Sequence, residues 1–337
     1  MKKETYKILT IGGGSGQYAL LSGLRDLSNI SITSLVSMAD NGGSSGRLTN
    51  ELGILPPGDV LKCLVALSPL RDAALRILLK RLNGNGQLNG HNAGNMLLSM
   101  LTQYTGSFPA AIKSLSEIME VKGKVLPTTT DKATLVAELA DGNRIYGESA
   151  IDIPQSPMRA EIANLFLVPH YHNSISAYPP VIEEIIKSDV IFIGPGDLYT
   201  SIIANLIVPG IKEAIQNTGA RVFYILNIMT KFGETHNFKG YDFVQKIENY
   251  LGRRVDGIIY NVRKPDTRLL RKYLDEKAEF VELDKSENWI GDRVIYDSDL
   301  LDTSVEIVRH DPYKLASAIN GILFNEAGKI GYFFLKN

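Results

Sequence analysis

Residues 7–24 read KILTIGGGSGQYALLSGL, and the class of the fold follows from them. Lys7 to Ile11 is a short β-branched apolar run of strand type, and Gln17 to Asp26 carries the spacing of a helix. Between them lies Gly12-Gly13-Gly14-Ser15-Gly16. A glycine run between a strand and a helix leaves backbone N–H groups at the positive end of the helix dipole, where an anion is received. The same glycines also serve a tight turn that needs close packing, and both readings stay open. The dinucleotide fingerprint GxGxxG fits only in part, because Gln17 occupies the third glycine position.

Outward from this unit the alternation continues. Ile30 to Met38 reads as a second strand, followed by helical patterns at Val60 to Leu67, Arg71 to Leu82, Ala93 to Tyr104 and Pro109 to Met119. Three short strands, Val121 to Leu126, Ala133 to Leu139 and Arg144 to Gly147, suggest a small β insertion over 121–158, with Asp141-Gly142 as its hairpin turn. Strands are then expected at Ile162 to Val168, Val190 to Ile193, Val222 to Ile228 and Val255 to Tyr260. Helices are expected at Pro179 to Lys187, Ile211 to Asn217 and Tyr241 to Leu251, with a last one after Asp311-Pro312. Strands separated by helices imply crossovers between parallel strands. The expected fold is α/β, a Rossmann-like doubly wound, mostly parallel sheet with a helical interlude and a β insertion, in one large domain over 1–337.

Composition narrows the function. The 337 residues are 44% hydrophobic and 22% charged, unlike disordered or fibrous chains. Lys+Arg 36 against Asp+Glu 37 offers no bulk attraction to a polyanion, so nucleic acid is not an expected partner. A single cysteine, Cys63, excludes an internal disulfide and a multi-cysteine zinc site. No run of about 18 apolar residues is present, so no membrane span is expected. The apolar stretch Ile8 to Ile11 is too short for a signal-peptide core, and a cytoplasmic protein is expected.

The chemistry-bearing segments fall where strands are expected to end, the edge at which open α/β sheets bind ligands. Asp40-Asn41-Gly42-Gly43-Ser44-Ser45-Gly46-Arg47 reads as a second glycine-rich turn. Asp40 suits a ribose hydroxyl or a hydrated Mg²⁺, and Arg47 a phosphate, or the pair forms an Asx-turn with a solvated arginine. In Gly90-His91-Asn92-Ala93-Gly94-Asn95, Asn92 and Asn95 offer amide donors and acceptors, or Asn92 is simply a helix N-cap. Gly194-Pro195-Gly196-Asp197-Leu198-Tyr199-Thr200-Ser201 repeats the strand–glycine–helix arrangement, and Gly194, Gly196, Tyr199, Thr200 and Asn205 join the candidate list. Asn227, Thr230 and Glu234 leave another strand on the same edge; Glu234 is a candidate acid or base, or a turn residue. His170 and His172 share one face of a strand, but no third metal ligand follows. His310 beside Asp311 suggests an oriented imidazole, or Asp311 caps the last helix.

Six ordered blocks resemble the bacterial gluconeogenesis-factor family, related to the phospholactate transferases of deazaflavin cofactor biosynthesis. They are Gly12 to Gly16, ADNGGSSGRL at Ala39 to Leu48, PPGD at Pro56 to Asp59, GPGDLYTSIIANL at Gly194 to Leu206, NIMTKFGET at Asn227 to Thr235 and RHDP at Arg309 to Pro312. The resemblance implies a Rossmann-like fold that binds a UDP-sugar, notably UDP-N-acetylglucosamine, and a role in cell-wall and cell-shape homeostasis during gluconeogenic growth. It brings no settled reaction with it. Asn205 and Arg309 correspond to UDP-sugar contacts, and the loops at Gly12 to Gly16 and Gly194 to Gly196 to phosphate cradles. Asp40 matches the acidic loop that accompanies Mg²⁺ in the transferases. Three positions depart from the family pattern: Asn41 stands for an expected second aspartate, Asp197 for a serine and Ala204 for a proline. Asp197 either caps its helix or meets a cation that bridges it to phosphate.

The leading expectation is a UDP-sugar-binding regulatory factor, with a homodimer as the candidate assembly, whose occupied state a regulatory protein partner reads. The alternative is a Mg²⁺-dependent phospholactate-type transferase acting on a nucleotide diphosphate donor. A nicotinamide oxidoreductase comes third, on the partial fingerprint alone.

Overall fold

The computed structural model describes residues 4–154, 159–170, 174–284 and 288–325. His172 and positions 155–158 of the expected insertion lie outside them. Among the described residues, ten strands follow in chain order: β1 (Tyr6–Gly12), β2 (Ile30–Val36), β3 (Lys124–Pro127), β4 (Ala133–Leu139), β5 (Arg144–Tyr146), β6 (Ile162–Pro169), β7 (Val190–Ile193), β8 (Arg221–Ile225), β9 (Gly257–Asn261) and β10 (Val294–Ser298). Seven of them form one sheet in the order β10-β9-β8-β7-β1-β2-β3, every pair parallel. The other three form a separate antiparallel sheet, β5-β4-β6.

The α/β class is explained by where the β1 side chains go. Ile8 packs in one layer with Leu20, Leu21 and Leu24 of helix Gly14–Leu24 and with Leu315 and Ile319 of helix Pro312–Asn320. Leu9 and Ile11 enter the opposite layer with Val181, Ile185 and Ile202. All three β1 residues are at most 1% exposed, and burying each is worth about 1.5–3 kcal/mol over leaving it in water. A strand covered on both faces is what a parallel sheet wound by helices on both sides requires.

The chain goes from β1 outward to β2 and β3, then returns to β7 on the other side of β1 and proceeds to β10. The reversal lies between β1 and β7, and the crevice outside their carboxyl ends is the place where such sheets take ligands.

Four details differ from the sequence reading. The strand expected within Val121 to Leu126 pairs with β2 as the edge of the main sheet. The small sheet draws its third strand instead from β6, whose mixture of buried and exposed residues suits an antiparallel strand with one open face. The glycine-rich stretch after β2 is a turn only as far as Gly42; Gly43–Leu52 is helical. Gly46 is needed there because a Cβ would lie 2.0 Å from the Asn41 carbonyl oxygen. Strand β10 and helix Thr267–Asp275 were not expected. Among the described residues, no single helix is long and apolar enough to cross a membrane.

Candidate functional site

A cleft of about 660 Å³ opens at the β1/β7 crevice. Its floor is made by two glycine loops. Gly13, Gly14, Ser15 and Gly16 come from the end of β1 and the first turn of the following helix; Pro195, Gly196 and Asp197 come from the end of β7. The loops touch, since a Cβ on Gly16 would sit 2.3 Å from the Pro195 carbonyl oxygen. Gly14 has φ +63°, a conformation that glycine adopts without penalty. First-turn amides have no intrahelical acceptor. Asp59 Oδ2 takes the Gly14 N–H at 2.9 Å.

The opposite wall comes from Asn227 to Thr235 and from Val308 to His310. Asn227 donates to the Gly196 carbonyl at 2.8 Å and accepts from the Tyr224 hydroxyl at 3.0 Å, so it braces the second glycine loop. Thr230 is spent on backbone, with its hydroxyl accepting from the Glu279 amide at 2.8 Å. Arg309 is half-buried, and among the described residues its Nε has no hydrogen-bond partner. Asp311 is a cap: its carboxylate accepts from the Tyr313 and Lys314 amides. His310 is buried, and burial pulls its pKa down to about 4.

Asp197 resolves its own ambiguity. Its side chain makes no cap bond and instead lies 3.1 Å from Lys231 Nζ, which also pairs with Glu234 at 3.1 Å and with Asp152. The oxygens of Asp152, Asp197 and Glu234 lie within 4.8 Å of one another, and the lysine ammonium is the cation they share. Burial pushes the Glu234 carboxyl up to about 8 and raises Asp197. For Lys231 burial acts downward, but the three carboxylates outweigh it and its pKa is raised.

A second acidic group lies behind the first glycine loop. Asp40 accepts from the Gly42 amide at 2.9 Å, and its pKa is raised by burial and by the charge of Asp59. Asp59 also holds Lys62 at 2.9 Å. Burial, then the charges of Asp40, Asp152 and Asp59, push Glu148 up to about 7. Asn41 does not take the place of an acid here: it accepts from the Ser149 amide at 2.9 Å and docks helix Glu148–Asp152. The second carboxylate near Asp40 is supplied by Asp59. Carboxylate oxygens are the donors Mg²⁺ takes, and those of Asp59 are engaged here, Oδ2 by the Gly14 amide and Oδ1 by Lys62.

The other expected site residues lie off the cleft. Asn205 is fully buried; its amide donates to the Gly12 carbonyl at 3.2 Å and the Ser201 carbonyl at 2.7 Å, and its Oδ1 accepts from the Thr128 hydroxyl. Its polar atoms hold the loop backbone. Tyr199 and Thr200 are buried, with the Tyr199 hydroxyl reaching the Ile162 carbonyl at 3.3 Å. Gly12 ends β1, and Gly194, with φ +80°, follows β7. Arg47 donates to the Gln87 and Asn89 carbonyls. Asn92 caps its helix through the Asn95 amide at 2.7 Å, and Asn95 donates to Ser44 at 3.2 Å in a buried network with His91. Sequence reasoning missed Lys231, Asp152 and Lys62; Ser201, whose hydroxyl was a candidate for phosphate, does line the cleft. Lys231 stood within a quoted block, and its signal was the lysine three residues before Glu234; Asp152 carries no local signal.

Proteins of one family resemble this chain over nearly its full length. The family model for 2-phospho-L-lactate transferase CofD matches residues 8–300. The chain is 39% identical over 319 residues to the gluconeogenesis factor of Bacillus subtilis, covering 94% of this chain and 98% of that protein. Against the gluconeogenesis factor of Halalkalibacterium halodurans the identity is 41% over 322 residues, covering 95% and 96%. A crystal structure of a Bacillus halodurans protein superposes with a TM-score of 0.87 at 38% identity, covering 94% of this chain and 99% of that one. The chain therefore belongs to the CofD family, among its gluconeogenesis factors.

Proposed function

We propose that the cleft binds the diphosphate of a UDP-sugar such as UDP-N-acetylglucosamine, and that a regulatory partner protein reads the occupied state. The physiological setting of this reading is cell-wall and cell-shape homeostasis during gluconeogenic growth. The observation that carries it is the contact between two glycine loops at the switch point, in a cleft that is also lined by Arg309, whose Nε has no hydrogen-bond partner among the described residues. First-turn amides and a guanidinium are groups that recognise phosphate oxygens. Isothermal calorimetry with UDP-N-acetylglucosamine tests it: saturable binding by wild type, weakened in Arg309→Ala, is expected. No heat with wild type refutes it.

A second reading is favoured by Asp40 and Asp59 beside the first loop, and by the match to a transferase family. A Mg²⁺ ion held there would neutralise charge on a phospho group being transferred. Product formation from a nucleotide diphosphate donor that requires Mg²⁺ and is lost in Asp40→Asn supports this reading. Turnover that survives Asp40→Asn removes the metal assignment.

A further inference from the structure

Asp197 follows Gly196 directly, so its side chain leaves the backbone at the edge of the second glycine loop. The backbone there is fixed, because the Asp197 carbonyl accepts from the Ser201 and Ile202 amides at 3.0 and 3.1 Å. The carboxylate is held by Lys231 at 3.1 Å, yet the side chain stays 44% exposed and lines the cleft. Lys231 has no hydrogen to spare for a phosphate: an ammonium carries three, and Asp152, Asp197 and Glu234 are its three acceptors. The Tyr199 amide in turn donates to Glu234 Oε2 at 3.4 Å. Lys231 is therefore a strut between three segments of the cleft wall, and what the wall offers a ligand at this point is an acceptor.

Three carboxylates around one ammonium give no attraction for the oxygens of a diphosphate, which are better served by the loop amides and Arg309. The part of a ligand that lies over Asp197 must be bonded close to the diphosphate, carry no negative charge and present hydrogens. In a nucleotide-sugar the two sugars that flank the diphosphate meet all three conditions, whereas the base lies one sugar further away. We propose that the Asp197 carboxylate accepts a hydrogen bond from a hydroxyl of a sugar bonded to the diphosphate. This rests on the nucleotide-sugar reading and adds to it a residue that discriminates among sugars. A carboxylate–hydroxyl bond is charge-assisted, so one missing hydroxyl is costly.

Calorimetry on wild type and Asp197→Ala tests the assignment, with UDP-N-acetylglucosamine, its 3-, 4- and 6-deoxy-hexose analogues, UDP, and 2′- and 3′-deoxy-UDP. Asp197→Ala also releases a donor of Lys231, which acts on the phosphates of every ligand alike, so the readout is the cost of deoxygenation within each protein. One deoxygenation is expected to cost wild type about tenfold in affinity and to cost Asp197→Ala nothing. A sensitive position on the hexose assigns the contact to the hexose; one on UDP assigns it to ribose. Should Asp197→Ala fold poorly, Asp197→Asn takes its place, with the cost expected to fall to about threefold as the bond loses its charge. A wild type that tolerates every deoxygenation, or a folded variant that keeps the full cost, overturns the assignment and leaves nucleotide-sugar binding intact. A wild type that binds no UDP-sugar overturns both.

Discussion

Asn205 separates two meanings of a site residue. In the structure its amide bonds the Gly12 and Ser201 carbonyls and accepts from Thr128, at zero exposure. Truncation to alanine strips a donor from one buried and one part-buried carbonyl. The Thr128 hydroxyl retains the Val36 carbonyl at 2.9 Å, so it is not orphaned. Each abandoned carbonyl costs about 1–3 kcal/mol, partly recovered where water enters, so Asn205→Ala is expected to lose roughly 2–4 kcal/mol of stability. Asn205→Asp is expected to lose more, because a carboxylate oxygen then faces those carbonyls. Gly12 precedes the loop that lines the cleft, so UDP-sugar affinity falls as well, in step with stability. Urea unfolding and calorimetry on the same preparations check this. Asn205→Ala with stability within about 0.5 kcal/mol of wild type but with affinity abolished would mean that the amide touches the ligand directly, and the positioning argument fails.

Other perturbations separate the parts of the cleft. Gly16→Ala places a Cβ 2.3 Å from the Pro195 carbonyl oxygen; the loops must part, and calorimetry is expected to show at least tenfold weaker UDP-sugar binding. Arg309→Ala removes a group with an unpartnered Nε, so binding is expected to weaken roughly tenfold or more while the urea midpoint barely moves. Glu234 titrates near 8 in the folded state, above its ordinary 4.5. The native protein therefore holds the extra proton between these values, and stability falls as pH rises through this window, at most by about 1.4 kcal/mol per pH unit for one proton. Glu234→Gln is expected to flatten that slope in urea titrations from pH 5 to 8; an unchanged slope refutes the assignment. His310 runs the other way, its folded value near 4 lying below 6.5, so His310→Gln is expected to lessen the loss of stability between pH 6.5 and 4.

The legible parts of the fold were those whose signal is local and whose surroundings are uniform. β1 and β7 are apolar on both faces, so any reading frame finds them, and the glycines that follow announce the turn. β10 reads Val-Ile-Tyr-Asp-Ser and is half-open at the sheet edge, where burial no longer enforces an apolar run. β3 and β6 were recognised as strands but exchanged between sheets, because partner choice depends on a crossover that no local pattern encodes. The same division explains the site. Glycine at 16 is dictated by a backbone approach at its own position, so reading it locally gave its place correctly. An asparagine or threonine declares only that it can hydrogen-bond, and whether Asn205 or Thr230 turns toward a ligand or toward backbone depends on which carbonyls and amides the distant loops bring near. Polar residues that emerge from strand ends therefore divide into those that shape the floor and those left with open valences. In this cleft Arg309 keeps an Nε without a partner among the described residues, and that atom, rather than membership in a motif, makes it a candidate ligand contact.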